Sequence, residues 1–201
     1  MGINKETVRA AAQKYLQRGQ LDKAIRELQR LVEVDPQDVR SLLKIGDLQT
    51  RKGDAAAATQ TYMAVAMFYA EQHFFLKAVA VYKQVLQLDP SLIEVSGKLA
   101  ALYQQLGLRS DALQQYCNVC DSHERNERWD ACLDALDAML RLDPTQWTTR
   151  VRRGEIYTRV ANSEAACADF TQAARELHAA QKWDEYVRVG ERLLQLDTEA
   201  V

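Results

Sequence analysis

The chain has 201 residues, 47% hydrophobic and 27% charged, with 26 basic and 28 acidic side chains for a net charge of −2. That supplies apolar material for a substantial core and excludes a disordered chain. The near balance of charge excludes the electrostatic footprint of a nucleic-acid or anionic-membrane binder. Eight glycines and three prolines leave little material for turns, so an all-α chain is predicted. No run approaches the ~18 apolar residues of a membrane span. Lys5, Glu6 and Arg9 break the first apolar stretch, so no signal peptide is predicted. Four cysteines without a secretion signal fit reduced thiols and a cytoplasmic location.

In chain order, a first helix is predicted before Gly19. A second follows from Leu21, where Leu21, Ala24, Ile25, Leu28, Leu31 and Val32 fall at helical spacing. Pro36 stops it, and Asp35 is expected to cap the next helix with Pro36 in its first turn. That helix includes Ser41 to Arg51 and closes at Gly53; another covers roughly 54–72. The pattern then restarts. The stretches from Leu21, Phe75, Trp129 and Trp183 align at a step of 54 residues, and the first three end in Asp35-Pro36, Asp89-Pro90 and Asp143-Pro144. The fourth ends in Asp197-Thr198, which keeps the register and loses the proline. Small residues Gly46, Ala100 and Gly154 also recur at 54. The third helix of each unit covers 54–72, 109–126 and 163–180. Its join to the next helix passes His73, Glu127 and Gln181 where the first unit has Gly19, and reads either as a tight polar turn or as a bend in a longer helix. Eleven helices result, in units 1–36, 37–90, 91–144 and 145–201 of a single domain, 1–201. A fixed step means stacked copies of one motif and an interaction surface.

The spacing resembles the tetratricopeptide repeat, a 34-residue helix-turn-helix. Its small, aromatic and alanine slots are met by Ala12, Tyr15 and Ala24, then by Ala66, Tyr69 and Ala78. Cys120, His123 and Cys132 depart from the pattern, and Ala174, Leu177 and Tyr186 depart further. A second, interleaved set contains Gly46 and Ala58, then Ala100, Tyr103 and Ala112, then Gly154, Tyr157 and Ala166. The middle helix of each unit thus serves two motifs, so Tyr62, Tyr116 and Phe170 each fill two slots. The resemblance implies an α-solenoid, a right-handed superhelix of antiparallel helices that binds a protein segment in its groove and has no shared catalytic chemistry. One subgroup clamps C-terminal carboxylates with Lys and Asn. The comparable slots here are Arg9, Gln13 and Lys44, without the asparagines, so that specificity is not implied.

Cys117, Cys120, His123 and Cys132 form a candidate zinc set. The repeat register opposes it, because Cys120 and Cys132 replace small packing residues; no metal or cofactor is expected, although these two cysteines are expected to lie close enough to oxidise in vitro. His73, His123 and His178 show no acid–base pattern, and no phosphate loop or nucleophile elbow is present. Arg150, Arg152, Arg153 and Arg159 form a basic cluster that suits an acidic peptide better than nucleic acid.

The groove slots implied by the resemblance are Arg9, Gln13 and Leu16; Arg40, Leu43, Asp47, Thr50 and Arg51; Glu94, Gly97, Ala101, Gln104 and Gln105; and Thr148, Val151, Glu155, Thr158 and Arg159, with Arg150 beside them. The expected function is a non-enzymatic cytoplasmic scaffold that binds a partner protein or peptide. Wording such as FLKAVAVYKQVLQLDP also resembles bacterial cell-polarity scaffolds, which implies a small Ras-like GTPase or response regulator as partner. A sensor enclosing a signalling peptide or small molecule is the alternative, and a zinc or redox protein a third. The last helix exposes Val187, Val189, Leu193, Leu194 and Leu196 without a cap, so self-association through that end is expected.

Overall fold

The computed structural model describes residues 4–199. Among them are eleven α-helices and no strand: α1 (Lys5–Gln17), α2 (Leu21–Val34), α3 (Val39–Lys52), α4 (Ala55–Glu71), α5 (Phe75–Leu88), α6 (Ile93–Gln105), α7 (Arg109–Arg125), α8 (Trp129–Leu142), α9 (Trp147–Arg159), α10 (Ser163–Ala179) and α11 (Trp183–Glu199). They form two compact units, divided between Leu106 and Gly107. Within each, helices pack on their neighbours in chain order, as in an α-solenoid. Within each unit, short connections make successive helices antiparallel neighbours.

The 54-residue step has a backbone cause. Left-handed φ values occur at Gly19, His73, Glu127 and Gln181 in one register, and at Gly53, Gly107 and Ala161 in a second. Each lies just past a helix. At six of the seven the next N–H reaches back five residues, as from Phe74 to the Tyr69 carbonyl at 2.8 Å and from Asn162 to the Tyr157 carbonyl at 2.8 Å. This is the Schellman closure of a helix, which needs one left-handed residue. The join that the sequence left open is therefore a tight turn. At the first of these joins without glycine, Tyr69 and Phe74 pack edge-on across it with ring centroids 6.3 Å apart.

The Asp-Pro turns correct one expectation. Asp35, Asp89 and Asp143 do not cap the following helices. Those start three residues later, with Asp38, Leu92 and Gln146 at the N-cap. The three aspartates instead close an Asx turn over the proline. Asp35 Oδ1 accepts the Gln37 N–H at 3.2 Å, Asp89 Oδ1 the Ser91 N–H at 2.9 Å, and Asp143 Oδ1 the Thr145 N–H at 3.3 Å. Where the proline is lost, α11 runs on through Asp197 and Thr198 to Glu199.

In unit 1, Val8, Ala12, Ala24, Ile25, Leu28, Leu31, Ile45 and Leu48 form a buried cluster under α1–α3. In unit 2, Cys120, Cys132, Ala135, Leu136, Met139 and Ile156 form one cluster, and Ala166, Phe170, Ala173, Leu177, Val189 and Leu196 another. The small slots set the helix separation. A Cβ on Gly46 would stand 2.6 Å from Tyr62 Cε1, and one on Gly154 would stand 2.7 Å from Phe170 Cε1.

Candidate functional site

In unit 1, α1 and α3 flank a cleft of ≈ 400 Å³. Its walls are Arg9, Ala12, Gln13 and Leu16 from α1 and Arg40, Ser41 and Lys44 from α3, with Leu28 of α2 as floor. Helical spacing puts residues 9, 12, 13 and 16 on one face of α1, and 40, 41 and 44 on one face of α3. The expected groove residues Arg9, Gln13, Leu16 and Arg40 are thus brought together, and Lys44 joins them. Arg40 and Lys44 are exposed.

Asp38 orients the cationic rim. It is the N-cap of α3, and its carboxylate accepts from the Ser41 N–H at 3.2 Å, the Ser41 hydroxyl at 2.8 Å and Arg9 Nη2 at 2.9 Å. Partial burial alone would raise the Asp38 carboxyl. The hydrogen bonds from Ser41 and Arg9 outweigh it and hold the group below the usual carboxylate range. Arg9 is therefore held at the wall by a fixed carboxylate, while Arg40 and Lys44 offer charge to the cleft.

The other expected residues of α3 lie outside this lining. Leu43 is half-buried, and Asp47 accepts the Tyr62 hydroxyl at 2.8 Å. The Thr50 hydroxyl donates to the Gly46 carbonyl at 2.9 Å, and Arg51 is exposed in the last turn. Gln104 and Gln105 are exposed at the end of α6.

In unit 2, Glu155, Thr158 and Arg159 of α9 face Arg192, Gln195 and Leu196 of α11 across Phe170 of α10, around a second cleft of ≈ 380 Å³. Its charges are partly satisfied inside the protein. Glu155 pairs with Arg192, and the Arg159 guanidinium lies 5.3 Å from the centre of the Trp129 ring.

The remaining arginines of α9 are bound inside the fold. Arg153 grips the buried Asp169 with two N–H groups, Nε at 2.7 Å and Nη2 at 2.6 Å, and also pairs with Asp137. The hydrogen bond to Asp169 is the main reason its guanidinium is held more firmly protonated than usual, against the opposing effect of burial. Arg150 Nε donates to Glu176 at 2.8 Å and Nη2 to the Pro144 carbonyl at 2.6 Å. Arg152 Nη2 reaches Asp121 and Glu124, each at 2.6 Å. The cluster expected to face a partner thus ties α9 to α7, α8 and α10. Sequence reasoning missed this because the partners lie 16 to 31 residues away on other helices.

The four proposed zinc ligands do not converge. Among the described residues, Cys120, Cys132 and Glu124 bring ligand atoms within 4.8 Å of one another. Cys117 Sγ instead lies 3.8 Å from Arg152 Nη1, and burial lowers the proton affinity of His123, with Arg128 adding to the effect. His73 occupies a left-handed turn, and His178 packs edge-on against Trp183, 5.3 Å between centroids.

Residues 12–53 match the family model described as TPR repeat. No curated protein is similar to the chain in sequence. Among solved structures, MamA residues 41 to end from Desulfovibrio magneticus RS-1 is 19% identical, covering 90% of this chain and 98% of that one, with a TM-score of 0.34. A tetratricopeptide repeat protein from Parabacteroides merdae is 16% identical over 95% and 92% of the two chains, TM-score 0.29. A protein of nearly identical TPR-like repeats from Podosopora anserina is 17% identical over 97% and 95%, TM-score 0.43.

Proposed function

We propose that this chain, a member of the tetratricopeptide repeat family, is a non-enzymatic scaffold that binds an acidic, partly apolar segment of another protein in the α1–α3 cleft. The observation that supports this reading is the pairing of Arg40 and Lys44 at an exposed rim with Leu16 and Leu28 below it. A charged rim over a small apolar floor suits an extended or helical segment with carboxylates flanking one or two large side chains. The sensor reading requires an enclosed apolar pocket, and the charged, solvent-facing walls of both clefts favour the scaffold over it. No residue in either cleft singles out a small Ras-like GTPase or response regulator. Among the described residues no helix is long and apolar enough to cross a membrane.

The test is binding of fluorescent peptides of equal length carrying acidic, neutral or basic residues around a leucine pair. Acidic peptides alone should bind, with affinity falling as salt rises through the Debye regime. Equal binding of basic peptides would refute the reading.

Self-association through α11 is a further part of the proposal. Val187 and Leu194 are 56% and 68% exposed, and they line a ≈ 580 Å³ mostly apolar cleft with Cys167, Thr171, Gly190, Glu191 and Leu193, whereas Val189 and Leu196, expected on the same exposed face, are buried. A second copy packing there predicts a concentration-dependent sedimentation coefficient. A strictly monomeric species at high concentration would count against it.

A further inference from the structure

In the 54-residue register, Cys120 takes the slot of Ala12 and Ala66, and Cys132 that of Ala24 and Ala78. All six are buried, at most 2% exposed. These are the slots where the two helices of a hairpin touch. In the α7–α8 hairpin alone among the described pairs, sulfur faces sulfur: Cys120 Sγ and Cys132 Sγ are in contact, and their Cα atoms are 4.6 Å apart. That Cα separation falls within the range of roughly 4.4–6.8 Å that a disulfide spans. A small buried hydrophobe explains one cysteine in an alanine slot; it does not explain two placed opposite each other.

Metal binding is the weaker reading of the same atoms. Glu124, the third group within ligand distance, is committed to Arg152, which donates to it from Nε at 3.1 Å and Nη2 at 2.6 Å. Cys117 and His123 are not in the group. We propose that Cys120 and Cys132 form a reversible disulfide that staples α7 to α8, with a low-molecular-weight disulfide such as oxidised glutathione as oxidant. One cysteine thiolate attacks the oxidant, forming a mixed disulfide and releasing one glutathione thiolate. The second attacks the protein sulfur of that mixed disulfide and releases the other. Two protein thiols are oxidised, one small disulfide is reduced to two thiols, and the protons lost by the cysteines pass through solvent to the leaving thiolates. Both sulfurs are sealed in the core, so exchange proceeds as the hairpin opens or folds.

The inference is independent of the peptide-binding reading, and its test is chemical. The full chain is unfolded, refolded in a glutathione redox buffer, and alkylated with iodoacetamide in denaturant without reductant. Two of the four cysteines should be alkylated. Trypsin cuts at Arg125 and Arg128, which would separate Cys120 from Cys132. Peptides 110–125 and 129–141 should nevertheless stay joined, with fragmentation placing the alkyl group on Cys117. Reduction should then lower the folding equilibrium constant by on the order of a hundredfold, the loop-closure effect expected for a loop of about this length. The double variant Cys120→Ala/Cys132→Ala carries the residues that the earlier hairpins use, and its stability should be indifferent to reductant. Four alkylated cysteines, a bond through Cys117 or Cys167, or a stoichiometric zinc ion on the refolded protein with both cysteines reduced would each overturn the proposal.

Discussion

Gly46 and Tyr62 touch so closely that the phenol ring occupies the space of a missing methyl group: a Cβ on Gly46 would stand 2.6 Å from Tyr62 Cε1. The ring is held there by its hydroxyl, which donates to Asp47 at 2.8 Å on the same helix as Gly46. Gly154 and Phe170 repeat the contact in unit 2, 108 residues on, without the hydroxyl.

Gly46→Ala is therefore expected to destabilise the fold by about 1–3 kcal/mol, because the added methyl must displace a buried ring. Gly97→Ala is the matched control. It also lies in a helix, yet nothing stands within 4 Å of its added Cβ, so it should stabilise by roughly 0.5–1 kcal/mol. Urea denaturation of the two variants should give opposite signs.

Ala161 holds φ at +58° in the slot where the other two copies have Gly53 and Gly107. Left-handed backbone costs an L-residue about 1–2 kcal/mol. Glycine relieves that cost but gains freedom in the unfolded chain. Ala161→Gly should accordingly raise stability by about 0.5–1 kcal/mol, read as a higher urea midpoint at unchanged slope.

Arg153 and Asp169 are a largely buried pair, with side chains 19% and 5% exposed. Arg153→Ala leaves the Asp169 carboxylate in the core without its two strongest donors. A loss of about 3 kcal/mol is expected. Because much of it is the cost of the stranded carboxylate, Arg153→Ala/Asp169→Ala should be more stable than the sum of the two single changes, which a double-mutant cycle would measure.

Burial, and then the hydrogen bond to Asp47, push the Tyr62 hydroxyl up to about 12. The unfolded chain ionises this group near pH 10. Stability from the neutral phenol is thus fully present below about pH 10 and declines as pH rises towards about 12, since the unfolded state releases its proton first. Tyr82 and Tyr157 are raised by burial in the same sense. Tyr62→Phe should make the alkaline decline shallower without abolishing it, in chemical denaturation repeated from pH 9 to about 12.

What the sequence revealed depended on the range of the forces involved. Helix positions follow from apolar spacing and punctuation. The 54-residue step also aligned His73, Glu127 and Gln181 with Gly19, but whether the chain turns or bends there was decided by the left-handed backbone, which spacing alone does not reveal. The Asp-Pro reading failed at one local choice: a side chain that can cap a helix can also close an Asx turn, and the proline tipped Asp35, Asp89 and Asp143 to the turn. The site was legible on α1, where Arg9, Gln13 and Leu16 share the cleft. It was less so on α9, where Arg150 looked like free charge but is bound to Glu176. Charge on a helix face says nothing about which distant carboxylate lies opposite.

Arg40 and Arg51 lie on one helix, but only Arg40 lines the α1–α3 cleft. The affinity of an acidic peptide for Arg40→Glu/Lys44→Glu, set against Arg51→Glu, tests the central proposal most directly. Both variants keep a folded helix, because these side chains are exposed. The double reversal should weaken binding at least about tenfold, near 1.4 kcal/mol, while Arg51→Glu should stay within about twofold. Equal weakening by both, or by neither, would contradict a binding site in this cleft.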